Sequence, residues 1–140
     1  YRWGRIDFPT FFDSGCRGSY WRIFPYFNSK LAITLFTIKL AKELKDKGIM
    51  VNCADPGIVA TDIIYFKMWF DSLTRVLFAP YIRTPRQGAA TAIRLLLSKD
   101  VEGQTGTFNL SSHEKKLGKK YTQSPMLEKL WAETAKRVGL

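Results

Sequence analysis

The chain has 140 residues, 46% of them apolar and 14% aromatic, and a formal net charge of +10. That is material for one buried core and too little length for two, so general disorder and a multidomain layout are both excluded. Two cysteines, Cys16 and Cys53, and a single histidine, His113, exclude a disulfide framework and a zinc cluster.

The cysteine usage fits a reduced, intracellular setting, with Cys53 packed as a small hydrophobe and His113 as an ordinary surface residue. The Lys and Arg residues are scattered, and their densest group is Lys115, Lys116, Lys119 and Lys120. A solvated basic surface is favoured over an anion-seeking patch, and no motif that reads nucleic acid accompanies the charge. The chain opens on Tyr1 and not on Met, so it is expected to be a fragment. The lack of a targeting segment then says little about the parent protein.

Residues 1–24 are broken by Gly4, Pro9, Gly15 and Gly18 and read as a long aromatic-rich loop. Over 25–47 the spacing becomes helical, with Leu31, Leu35 and Ile38 on one stripe and Ala32, Phe36 and Leu40 beside it. Pro25 suits the first turn and Gly48 the stop. Residues 49–55, IMVNCAD, read as a strand buried on both faces, the kind found in parallel sheets. Pro56 and Gly57 end it in a loop, on the side where open α/β sheets hold their ligands.

Residues 62–82 are apolar enough to suggest a membrane span. Lys67, Asp71 and Arg75 place three charges on one face, and an amphipathic helix over a pocket, a membrane surface or a partner is the better reading. Thr84, Pro85 and Gln87 form a capping-box start for the next helix, whose buried face would be Ala89, Ala90, Ala92, Ile93, Leu96 and Leu97. A turn over 102–106, a short strand over 107–110 and a last helix from about Ser124 to Val138 complete the order, the helix carrying Leu127, Leu130 and Trp131.

The chemistry centres on PYFNSK, where Tyr26 and Lys30 stand four residues apart on one helical face. A phenol, with an unperturbed pKa of about 10, is a poor base near neutrality. A neighbouring ammonium favours its phenolate by Coulomb attraction, which makes such a pair a sensible general acid/base. Spacing alone is weak, since any exposed helix face can hold the two residues.

The context is more specific. Tyr26-Phe27-Asn28-Ser29-Lys30-Leu31-Ala32 is followed by Gly48-Ile49-Met50-Val51-Asn52, then Asp55-Pro56-Gly57-Ile58-Val59-Ala60-Thr61, then Thr84-Pro85-Arg86-Gln87-Gly88-Ala89. Motifs in this order resemble the short-chain dehydrogenase/reductase family, in its retinol-dehydrogenase-like and WW-domain-oxidoreductase-like subgroup, across nearly the whole chain.

The resemblance implies an α/β fold, the C-terminal half of a Rossmann-type doubly wound parallel sheet without the N-terminal dinucleotide-binding half. It implies an NAD(P)-dependent oxidoreductase that interconverts an alcohol and a carbonyl. Tyr26 would exchange a proton with the substrate oxygen, and Lys30 would stabilise the Tyr26 phenolate and bind the nicotinamide ribose. Pro56, Gly57 and Ile58 would line the nicotinamide, and Thr61 would sit near the pyrophosphate. Residues 62–82 would form the substrate lid, with Phe66, Trp69, Phe70 and Leu77 pointing to a bulky lipophilic substrate. Homodimer formation through the long helix and association with a membrane surface are open; NAD and NADP are not distinguished.

The chain departs from the family pattern in lacking a Gly-rich dinucleotide turn, the Asn-Asn-Ala-Gly signature and the first four strands. The catalytic serine is expected upstream of Tyr1, with Ser14 and Ser19 the weak substitutes in a Gly-broken loop. Two strands do not make a stable parallel sheet, so the isolated chain is expected to bind a dinucleotide poorly. The rival reading is a catalytically inactive, truncated dehydrogenase kept as a binding or regulatory protein.

Overall fold

A computed structural model describes residues 4–11, 23–59 and 82–139. In chain order these form α1 (Phe8–Phe11), α2 (Ile23–Leu44), β1 (Cys53–Asp55), α3 (Pro85–Leu97), β2 (Phe108–Leu110), β3 (His113–Glu114), α4 (Lys119–Thr122) and α5 (Met126–Val138). The lid region read over 62–82 lies outside the described residues except for its last position, Ile82.

The strands form one mixed α/β sheet in the order β1-β2-β3. β1 and β2 run parallel, with Cys53 opposite Phe108 and Asp55 opposite Leu110, while β2 and β3 run antiparallel. A parallel pair of strands connected through a helix belongs to the α/β class. The parallel pair is fastened at its start by Asn52, whose Oδ1 accepts from the Thr107 amide and hydroxyl at 3.1 and 2.9 Å. The Asn52 side-chain amide donates to the Gln104 carbonyl at 2.8 Å.

The core sits along α2. Its stripe of Leu31, Leu35 and Ile38 is buried against Leu127 and Leu130 of α5 and against Ile6. Phe36 of α2 stacks on Trp131 of α5, with ring centroids 5.2 Å apart. Lys39 ties the same two helices, meeting Glu43 at 2.7 Å and Glu128 at 2.8 Å. The helix begins at Ile23, which leaves Pro25 within its first turn. It tightens into a 3-10 turn over Lys45–Lys47 and stops at Gly48, in the left-handed region at φ 70°.

Several expectations are corrected. The strand read over 49–55 extends only over Cys53–Asp55, and Ile49, Met50 and Ala54 are exposed. Cys53 and Asp55 are half-buried and Ala54 between them is exposed, so β1 is not buried on both faces. The first segment holds a short helix, α1, where a loop was read. The capping box of α3 is present, with the Thr84 hydroxyl accepting from the Gln87 amide and the Gln87 side chain accepting from the Thr84 amide.

The buried positions of α3 are nevertheless Gly88 and Thr91, not the alanines. Ile93 is about half exposed, and Leu96 and Leu97 are 81% and 79% exposed. The helix packs beside β1, with Gly88 against Val59, and no described residue covers the apolar side.

Candidate active site

A cleft of about 400 Å³ opens where α2 passes the carboxyl ends of β1 and β2. Tyr26 and Lys30 form one wall, the loop of Pro56, Gly57 and Ile58 a second, and Phe108 and Leu110 the floor. Five of the ten residues predicted for the site thus meet around one cavity. Thr61, Phe66, Trp69, Phe70 and Leu77 lie outside the described residues, as do Ser14 and Ser19.

The first turns of α2 explain how the pair is presented. Lys30 Nζ lies 5.2 Å from the centroid of the Tyr26 ring, on its face, an attractive arrangement worth about 0.5–1 kcal/mol at an exposed site. Phe27 meets the same ring edge-on at 5.9 Å. The Asn28 side chain accepts from the Arg5 amide at 2.8 Å, so the segment around Arg5 is pinned across the start of the helix. Tyr26 itself is 56% exposed, and no described residue hydrogen-bonds its hydroxyl. A phenol so placed is free to meet a ligand.

The second wall is built by a turn. The Gly57 amide donates to Asp55 Oδ1 at 2.9 Å, and Gly57 takes φ 74°, where a side chain is disfavoured. A Cβ there would also stand 3.2 Å from Arg83 Nε. The chain therefore offers bare backbone to the cleft at this point.

Arg83, missed by sequence reasoning, holds this loop. Its amide donates to the Ile58 carbonyl at 2.8 Å, and its guanidinium donates to Ser111 Oγ at the end of β2. Ser111 and Ser112 both have positive φ, at 58° and 62°. The Ser112 amide donates to the buried Thr91 hydroxyl at 3.0 Å. One arginine and two serines thus connect the β1 loop, the end of β2 and α3. The only signal in the sequence was Arg83 standing just before the capping box.

Cys53 lines the cleft half-buried, and burial pushes its thiol up from the ordinary cysteine range. The Asp55 carboxylate adds to that push, against the Thr34 hydroxyl and the Lys30 charge. It stays a thiol near neutral pH and acts as an apolar wall. Among the described residues no group of three metal-ligating side chains comes together.

Gly88 sets the distance between α3 and this loop, since a Cβ on it would come within 2.5 Å of Val59 Cγ2. Gly88→Ala is expected to lower stability by about 1–3 kcal/mol through overpacking, although alanine favours a helix. Val59→Ala in the same chain should return most of the loss in a urea titration. Additive effects of the two changes would remove the contact as the cause.

The comparisons meet this geometry. The family model for short chain dehydrogenase matches residues 15–67, which include Tyr26, Lys30, Pro56, Gly57 and Ile58. Retinol dehydrogenase 14 of Mus musculus is 34% identical over the whole chain. The chain belongs to the short-chain dehydrogenase family. Within it, the human polyprenol dehydrogenase is 32% identical over 82% of the chain, and the WW domain-containing oxidoreductase of Pongo abelii 30% over 75%. The chain spans 42% of the length of the mouse retinol dehydrogenase, 36% of the polyprenol dehydrogenase and 25% of the oxidoreductase. No solved structure matches. A dehydrogenase segment of this kind explains why the sheet is partial and why β1 has an open edge among the described residues.

Proposed function

We propose that this segment carries the proton-transfer half of an NAD(P)-dependent oxidoreductase that interconverts a lipophilic alcohol and its carbonyl compound. The observation that carries the reading is the convergence of Tyr26, Lys30 and the bare Gly57 loop on one cleft. Its volume lies in the range of small-molecule sites and suits one end of a dinucleotide, not its whole length. Lys30 is exposed, with no carboxylate partner among the described residues, so its ammonium is available to ribose hydroxyls.

In this mechanism the bound nicotinamide supplies or accepts the hydride. Tyr26 gives a proton to the substrate oxygen in reduction and takes it back in oxidation. Lys30 offsets the negative charge that appears on the phenol oxygen when the proton leaves. Pro56, Gly57 and Ile58 hold the flat ring from one side, and Phe27, Phe108 and Leu110 keep water from the reacting atoms. Thr61 belongs to the pyrophosphate contact, and Phe66, Trp69, Phe70 and Leu77 to the substrate side. Polyprenol and retinol, named for two relatives, are lipophilic alcohols and support the substrate class.

The test is turnover by the intact parent protein with a series of long-chain alcohols and NAD⁺ or NADP⁺, read as reduced nicotinamide. Turnover that rises with chain length supports the reading; none with any alcohol or carbonyl in the series rejects it. A second reading, a non-catalytic product kept for binding, is favoured by the exposed apolar side of α3 and the open edge of β1. Micromolar binding of NADH or NADPH to the 140-residue chain excludes the second reading.

A further inference from the structure

The described residues leave one concentration of positive charge unused by the site. The segment from β3 into α4 carries Lys115, Lys116, Lys119 and Lys120, all exposed, with Glu114 beside them. The fold orients these side chains. Leu117 and Tyr121 turn inward and pack on the core cluster, which leaves the lysines on the outer side. The Lys115 amide donates to the Phe108 carbonyl at 2.8 Å, and the Lys120 ammonium lies 4.8 Å above the Tyr121 ring, so the segment is held at both ends.

Folding then adds a charge from far away in sequence. Lys42 of α2 donates to the Thr122 carbonyl at 3.3 Å and joins the same surface. Of the acids on α2, α5 and the turn after α2, Glu43 and Glu128 are both taken by Lys39, and neither Glu133 nor Asp46 forms an ion pair with Lys42. None of the five lysines has an ion pair among the described residues.

We propose that this face, Lys42 with Lys115, Lys116, Lys119 and Lys120, docks the protein on the surface of an anionic phospholipid bilayer. Ammoniums on flexible stems are point charges, which suits a field of lipid headgroups that demands no fixed geometry. A nucleic acid asks for more. A duplex takes a helix or ribbon in its groove and a single strand takes exposed rings for stacking, whereas α4 has four residues and Tyr121 lies beneath Lys120. The inference does not rest on the oxidoreductase reading, since the patch and the cleft share no residue.

The experiment is flotation of the 140-residue chain with vesicles of phosphatidylcholine alone and of phosphatidylcholine with phosphatidylserine. Binding to the phosphatidylserine vesicles, lost as salt is raised, is the expected result. Replacing Lys115, Lys116, Lys119 and Lys120 together by Gln should weaken the partition by on the order of 10²–10³-fold, at several-fold per lysine. The control variant replaces Lys47, Arg86, Lys99 and Lys136 by Gln, all exposed, and has the same net charge. Circular dichroism checks that both variants keep the fold. Equal losses in the two variants, equal binding to neutral vesicles, no binding to acidic ones, or complete displacement by equimolar duplex DNA would each overturn the proposal.

Discussion

Tyr26→Phe is expected to cut turnover of the intact protein by roughly 10²–10⁴-fold, the usual contribution of a positioned proton donor. Its thermal midpoint should not move. The change removes one oxygen and keeps the ring, so the edge contact with Phe27 and the Lys30 ammonium over the ring face both survive. More than half of the side chain faces solvent, and no described residue loses a hydrogen bond. Parallel measurement of kcat and of the melting temperature decides the matter. Undiminished turnover removes Tyr26 from the chemistry, and a lowered midpoint with turnover intact would make it a packing residue.

The largest effect on stability is expected from Leu35→Ala. Leu35 is 1% exposed and stands in the middle of the α2 stripe, between the α5 leucines and Ile6. Deleting such a side chain costs about 2–5 kcal/mol, because the lost burial is joined by a cavity that packed neighbours cannot fill. A domain of this size is stable by only about 5–15 kcal/mol. The urea midpoint should therefore fall sharply. Leu96→Ala, at 81% exposure, should stay within about 0.5 kcal/mol of the parent chain. Similar shifts for the two would mean that the core does not lie between α2 and α5. Because Tyr26 and Lys30 hang from the same helix, the Leu35 variant should also weaken any ligand binding in the cleft.

The contrast between those two leucines marks what a sequence can convey. Periodicity tells which side of a helix is apolar, and for α2 that side is buried. For α3 the same signal named Ile93, Leu96 and Leu97, which are exposed, because periodicity carries no information on whether another element covers the face. β3 is two residues long and has no pattern to detect.

The site divides in the same way. Tyr26, Lys30, Pro56, Gly57 and Ile58 were legible because their spacing and turn chemistry are local. Arg83, Ser111 and Thr91 were not, since their bonds join segments more than twenty residues apart. Nothing in a run of sequence announces such a meeting.

The isolated bridge between Val59 and Arg83, backed by the Arg83 amide on the Ile58 carbonyl, has a consequence for how the protein can change. Val59 and Arg83 stand on either side of residues 60–81 and are paired with each other, so the ends of the connection between them are already set. Closure entropy grows only with the logarithm of loop length, about 0.6 kcal/mol for each doubling. Segments of quite different length and composition can thus be exchanged between Val59 and Arg83 while the turn at Gly57 and the pair on α2 stay where they are. Evolution can alter the sequence between these two ends without rebuilding the frame that holds Tyr26.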